Sequence, residues 1–318
     1  MISTLALFRF LLRHPNRLSR LVLRRCPRLA YRSANQGASF LGQETGKGAF
    51  TLSFDLDVKE DVAAAEKLLP LLAKYGLRAV FACTGKLVED FPGIHRRMAE
   101  EGHEIMNHGY AIHTLVGGGA NTPRHFVHFP PQEQREDIRR CHEACEAVTG
   151  VSPRGFRTPH FGFGWQSHFG RMLLKLGYQY SSSRIAPGEA PPDAPFGAPY
   201  QTEEGLLEFP LSICPDHPLQ TLDTWHALSA PGALHKEDGE LLEVLRFMAI
   251  TATRNRNYVN LYFDPYHPGT VPGLEPFLAF LAGHREELWV ATYAEIYEKL
   301  RVIPRGANFQ TGDMASRR

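Results

Sequence analysis

The chain of 318 residues has no run approaching eighteen consecutive apolar residues, which excludes a membrane-spanning helix. It has almost no net charge: 35 Lys and Arg stand against 34 Asp and Glu, for +1. With 43% hydrophobic residues, that balance excludes a mainly disordered chain and leaves ample material for a core. Cysteine is scarce and odd in number, at five (Cys26, Cys83, Cys141, Cys145 and Cys214). No export signal accompanies them, because Arg9 cuts the first apolar stretch and no small-residue cleavage site follows. Reduced thiols and a cytoplasmic setting are therefore expected. Cys141 and Cys145 share a helical stripe with Ile138 and Val148 and read as small buried hydrophobes.

The neutral average conceals an uneven distribution. Residues 1–43 carry eight arginines and no acidic residue, which leaves 27 basic and 34 acidic side chains elsewhere, a net of −7. Arg9, Arg13, Arg17, Arg20, Arg24 and Arg28 recur at helical spacing, with leucines between them and Pro15 dividing two short helices. One reading is an interfacial segment, over residues 1–32, on an anionic membrane; the other is a helical extension packed on the main domain. The basic residues lack the interleaved aromatics of a stacking platform, so no nucleic-acid partner is expected.

From residue 49 onward, apolar runs alternate with helical patterns. Strands are expected at 49–54, 78–84, 103–107, 155–157, 178–183, 206–213, 258–263 and 288–291. Helices fall between them, at 60–75, 86–101 with a break near Pro92, 132–149, 166–176, 239–254, 273–284 and 293–301. The stretch 114–131 is too long for an ordinary connection and reads as a functional loop, stacking a sugar with its aromatics or covering the rim. This pattern predicts an α/β fold with a parallel sheet over 44–305, and a loose tail over 306–318. Such folds place their chemistry at the carboxyl ends of strands.

Four polar clusters occupy those ends. Asp55 and Asp57 follow the first strand, on one side of the chain, and need either a cation between them or a helix to cap. His108 and His113 follow the third strand and, with Asp57, make a donor set suited to Zn²⁺ with a position left for water. Arg157 can hold a neighbouring acid charged, and Pro159 fixes the backbone ahead of His160 so that an N–H can face an oxyanion. Asp264 and His267 follow a buried strand as a general acid and its orienting partner.

These residues, in this order, resemble the polysaccharide deacetylase family, carbohydrate esterases with a NodB-homology domain. The likeness extends over about 50–300 and includes the segment 76–110, GLRAVFACTGKLVEDFPGIHRRMAEEGHEIMNHGY. It implies a distorted (β/α) barrel of about seven repeats and a metal-dependent hydrolase that removes N-acetyl, or related N-acyl, groups from a carbohydrate or lipid-linked sugar. The spaced Asp-x-Asp pair is similar to the peptidoglycan-deacetylase and allantoinase-like branch. By resemblance Asp55 is the catalytic base, Asp57, His108 and His113 the metal ligands, and Arg157 the partner of the base. The His160 N–H becomes the oxyanion donor and His267 the general acid; Tyr110, Pro159, Phe161 and Asp264 are expected at the substrate.

Two features depart from the family pattern. Its metal histidines are usually four apart, whereas His108 and His113 are five apart. A bulge absorbs the extra residue, or the second ligand is absent, or His125 or His128 replaces it. The family's aspartate–tryptophan segment has Asp216, or Asp223 with Trp225, as its candidates. Two other functions remain open: a cyclic imide or ureide amidohydrolase using the same site, and a metal-free carbohydrate-binding or membrane scaffold.

Overall fold

A computed structural model describes residues 4–37, 39–114, 126–160, 165–166, 168–186, 196–229, 235, 238–267 and 270–302. The expected tail at 306–318, Phe161, His125 and most of the 114–131 loop lie outside these residues.

The strand β1 (Gly48–Leu56) is buried along its whole length. Its even-numbered residues Phe50, Leu52, Phe54 and Leu56 enter the main apolar core. The odd-numbered Thr51, Ser53 and Asp55 are buried too, and are hydrogen-bonded on the opposite face of the strand. One strand thus separates an oily helical layer from a polar interior. Around it run β2 (Val80–Cys83), β3 (Glu104–Asn107), β4 (Gly155–Phe156) and β5 (Tyr180–Ser181), each parallel to its neighbour. Beyond them β6 (Tyr200–Gln201) is antiparallel to β7 (Leu207–Glu208), and β6 is a strand that the alternation does not reveal. On the other side β8 (Tyr258–Phe263) pairs with β1, as does β9 (Leu288–Val290).

The sheet curls until β8 meets the chain just after β7. Ser212 N donates to Asn260 O at 2.9 Å, and Asn260 Nδ2 donates to Phe209 O at 2.8 Å. This closure makes the distorted (β/α) barrel that the family resemblance implies. Helices α5 (Lys59–Lys74), α6 (Gly85–Asp90), α7 (Pro92–Glu100) and α8 (Pro131–Thr149) follow β1 to β3, and the break at Pro92 divides α6 from α7. Helices α9 (Phe169–Lys175), α10 (Asp238–Asn255), α11 (Thr270–Gly283) and α12 (Tyr293–Arg301) complete the outer layer. Cys141 and Cys145 are buried in it with Ile138, and all five cysteines are free thiols.

The arginine-rich start forms three helices, one more than Pro15 alone suggests: α1 (Thr4–Arg13), α2 (Arg17–Arg25) and α3 (Pro27–Ala34). A second proline, Pro27, opens α3, and Asn16 caps α2 in a reciprocal bond with Ser19. Phe8, Leu12, Leu23, Ala30, Tyr31 and Ala34 are buried in the same core as β1. Arg28 reaches across to Asp216 at 2.6 Å and to Glu243 at 2.7 Å. Each large apolar side chain buried there contributes about 1.5–3 kcal/mol, so the segment belongs to the fold. The short helix α4 (Phe40–Thr45) leads from it into β1.

Candidate active site

The register sets Phe54 of β1 beside Phe263 of β8, Asp55 beside Ala82 of β2, and Asn107 of β3 beside Phe156 of β4. Asp55, His108, Arg157 and Asp264 therefore all stand at one end of the barrel, where the parallel strands finish.

Arg157 is fully buried and anchors this end. Its guanidinium donates to Asp55 Oδ1, to Ser53 Oγ at 3.0 Å, to Ser182 Oγ at 3.1 Å and to Tyr293 Oη at 2.6 Å. Its Nε donates to Ser182 O at 3.0 Å. A buried cation survives only with such complete pairing. Ser53, Ser182 and Tyr293 are participants that reading the sequence misses; Ser53 is signalled by the polar alternation in β1, the other two by nothing local.

Asp57, His108 and His113 converge. Asp57 Oδ1 lies 3.2 Å from His108 Nε2 and 3.1 Å from His113 Nε2. Each ring spends its Nδ1–H on a backbone carbonyl, that of Arg157 at 2.9 Å for His108 and that of Ala111 at 3.2 Å for His113. A carbonyl only accepts, so these bonds leave both Nε2 lone pairs facing a carboxylate oxygen. Lone pair against lone pair repels unless a proton or a cation intervenes. Ligands of a tetrahedral zinc, with bonds of ~2.0–2.2 Å, stand about 3.3–3.5 Å apart, close to the observed spacing. The three side chains fit a divalent metal ion, and His113 rather than His128 completes the set; His128 is exposed on the short turn Phe126–His128.

The turn that carries His113 has its own support. Gly109 adopts φ +79°, a left-handed conformation, and a Cβ there would stand 2.8 Å from Asp137 Oδ2. Asp137 of α8 accepts the N–H groups of Tyr110 at 2.7 Å and of Ala111 at 3.0 Å. Nothing in the sequence around Asp137 marks this role. The helix-cap alternative for Asp55 and Asp57 is not realised: α5 begins after Val58, and Asp61 accepts the N–H groups of Asp57 and Val58, each at 3.1 Å.

The two carboxylates differ in acidity. Burial pushes Asp55 above the usual carboxylate range, although Arg157 and His108 pull the other way. Asp57 is also desolvated, yet His113 and His108 hold it well below that range. Opposite them, His267 Nε2 lies 3.6 Å from Asp264 Oδ2. Burial brings His267 down to about 4, against the charge of Asp223. Burial, with Asp61, Asp57 and Asp55 nearby, raises Asp264 well above its ordinary value. The Asp264 N–H donates to Thr224 Oγ1 at 2.8 Å.

The remaining expected residues fall as follows. His160 adopts φ +53°, a left-handed backbone conformation uncommon outside glycine, and its Nε2 lies 3.3 Å from His113 O. Pro159 packs beside Gly109. Tyr110 is engaged elsewhere: its hydroxyl donates to Glu89 at 2.7 Å and the Arg140 guanidinium covers its ring at 3.8 Å. Phe126, a candidate for sugar stacking, is buried against Phe156 and Phe169. Asp216 is occupied by Arg28, so of the two aspartate candidates it is Asp223 whose charge reaches His267.

Comparison with known proteins places the fold among characterised ones. Residues 42–181 match the family model for polysaccharide deacetylase. A peptidoglycan-N-acetylglucosamine deacetylase of Bacillus cereus is 29% identical over 114 residues, 36% of this chain and 37% of that protein. A peptidoglycan deacetylase of Helicobacter pylori is 27% identical over 132 residues, 40% of each chain. The match thus spans well under half the length of these curated relatives. A Mycobacterium smegmatis structure assigned to the polysaccharide deacetylases superposes with a TM-score of 0.65 at 22% identity, over 84% of this chain and 94% of that one, which establishes the fold. Over residues 42–181 the chain is thus similar to the polysaccharide deacetylases, and its fold is theirs.

Proposed function

We propose that the protein is a divalent-metal-dependent hydrolase that removes an N-acetyl group from a glycan. The observation that carries this reading is the pairing of Asp55, gripped by Arg157, with the Asp57, His108 and His113 donor set two residues away. Both curated relatives, by their names, deacetylate peptidoglycan.

A metal ion bound by Asp57, His108 and His113, with zinc best suited to these donors, would supply Lewis-acid polarisation and a more acidic water. Asp57 stays ionised, because its two histidines hold it low, and so keeps its place as a donor. Asp55, raised by burial, takes up the proton of the water that attacks the acetyl carbon. Arg157 fixes the orientation of that carboxylate through its five bonds. The backbone N–H of His160, presented by an unusual left-handed residue after Pro159, serves the developing oxyanion; one such donor is worth roughly 3–4 kcal/mol. His267, with Asp223 favouring its protonated form, delivers a proton to the departing nitrogen.

The amino-terminal helices suggest where the substrate is met. Among the described residues eleven large hydrophobic side chains are exposed, and five of them lie in α1–α3: Leu7, Phe10, Leu18, Leu21 and Leu29. Exposed arginines, among them Arg17, Arg20 and Arg24, stand beside them. Apolar side chains rimmed by cations suit an anionic lipid surface, and free thiols throughout suit its cytoplasmic side.

The test is acetate release from N-acetylglucosamine oligomers and from peptidoglycan by the zinc-loaded protein. Asp55→Asn should lower kcat/KM by roughly 100- to 10,000-fold while retaining metal. Wild-type rates in that variant would overturn the assignment.

A further inference from the structure

A second donor cluster is built from residues that the catalytic reading leaves unused. Cys214 Sγ lies 3.4 Å from His217 Nδ1 and 3.6 Å from His235 Nε2, and the three donor atoms lie within 4.8 Å of one another. Cys214 and His235 are buried, while His217 is half-buried and open to solvent on one side. The two rings meet at 75° with centroids 5.3 Å apart, edge to face around the sulfur.

The backbone holds this cluster in place. Ile213 bridges to Thr221, and Cys214 N donates to Gln220 O at 2.8 Å, so Cys214 and His217 share a tight hairpin. His235 N donates to Ala227 O at 2.9 Å, which ties it to the helical turn Trp225–Ser229. Asp216, between the first two donors, is fully engaged by Arg28 and stays out of the set.

A thiol has a single proton, and it serves one imidazole. Two imidazole nitrogens facing one sulfur need a charge that all three groups can share. Tetrahedral zinc, with Zn–S of ~2.3 Å and Zn–N of ~2.0 Å, sets sulfur and nitrogen about 3.5 Å apart, between the two distances observed. The Cys-x-x-His spacing closes a short chelate, and a distant histidine completes a third bond. We propose that Cys214, His217 and His235 form a second metal site, for zinc or another thiolate-preferring divalent ion, with its fourth position open to water. The site fastens the 213–221 hairpin to the 225–229 turn. Between those elements lie Asp223, whose charge reaches His267, and Thr224, which bonds Asp264. The second ion thus holds the segment that reaches the catalytic pocket.

The test uses the full chain, stripped of metal and titrated with Zn²⁺ and Co²⁺. Wild type should bind two zinc equivalents, Cys214→Ser and His217→Ala one each, and His108→Ala one. Cobalt should give a near-ultraviolet sulfur-to-metal charge-transfer band in wild type and in His108→Ala. That band should vanish in Cys214→Ser. The His217→Ala change is on a half-buried residue and gives a folded control if Cys214→Ser fails to fold. One equivalent in wild type, lost in His108→Ala, would overturn the proposal, as would a charge-transfer band that survives in Cys214→Ser. Loss of the His108-dependent equivalent alone would instead strike the catalytic reading.

Discussion

His113 Nε2 and Asp57 Oδ1 lie 3.1 Å apart, although 56 positions separate the two residues and His113 stands five places after His108. The extra residue is accommodated by the left-handed Gly109 and by Asp137, whose carboxylate accepts two successive N–H groups in the turn. Asp137 touches none of the proposed donors and acts through the backbone that positions them.

Asp137→Ala should therefore weaken zinc binding at the Asp57 site by roughly 10- to 100-fold, the usual cost of losing support behind a ligand. His128→Ala should leave it unchanged. Competition with a chromophoric chelator, on protein carrying Cys214→Ser so that only this site is counted, measures both. Equal affinity in the Asp137 variant would remove its positioning role.

Asp223 is the charge that favours protonation of His267 against burial. Asp223→Asn should lower that histidine further below about 4 and deprive the leaving nitrogen of its proton. The expected result is a fall in kcat of roughly 100-fold or more on an N-acetyl sugar, with KM little changed. An aryl acetate whose nitrophenolate leaves without protonation should be hydrolysed at nearly the wild-type rate. Equal losses on both substrates would point to a collapsed loop rather than a missing acid.

Most of the strands and the polar residues that follow them are legible because both rest on short-range rules. Apolar alternation marks β1, and the chemistry sits one residue beyond β3, β4 and β8, at His108, Arg157 and Asp264. What was not legible is held by contacts across the barrel. Ser182 and Tyr293 reach Arg157 over 25 and 136 positions, and Asp137 reaches Tyr110 over 27. The surroundings of Tyr110 are set in the same way: it stands two residues after His108, while Arg140 and Glu89, from two helices, meet its ring and hydroxyl. In α1–α3 the spacing of arginines described the exposed face well. The depth to which Phe8, Leu12, Leu23 and Tyr31 enter the core depends on the surface that receives them, which no local pattern encodes.

His103 links acidity to stability. Its Nδ1 accepts the Ala79 N–H at 3.1 Å just ahead of β2, and burial brings its pKa down to about 4. Unfolded, the imidazole titrates near 6.5. Between those values the unfolded chain binds more protons, so stability falls as pH drops from about 6.5 towards 4. The contribution amounts to roughly 3 kcal/mol at the lower end. His103→Asn, which keeps an acceptor for Ala79 but cannot titrate, should flatten this part of the profile. Urea unfolding of both proteins at pH 7 and pH 4.5 measures the difference, and parallel profiles would refute it.

The amino-terminal helices separate a folding role from a docking role. Leu18 and Leu21 are 70% and 68% exposed, on the same helix as the buried Leu23. Replacing both exposed leucines by serine should leave thermal stability within about 0.5 kcal/mol, because neither side chain touches the core. On a lipid surface the same change forfeits about 3 kcal/mol of apolar transfer, on the order of 100-fold in partitioning. Co-sedimentation with phosphatidylglycerol vesicles checks this, and binding should also fall with salt as the arginines are screened. Leu23→Ser should do the opposite, unfolding the helices whether or not lipid is present. If the double variant still sediments with vesicles as the wild type does, the exposed leucines do not serve a membrane.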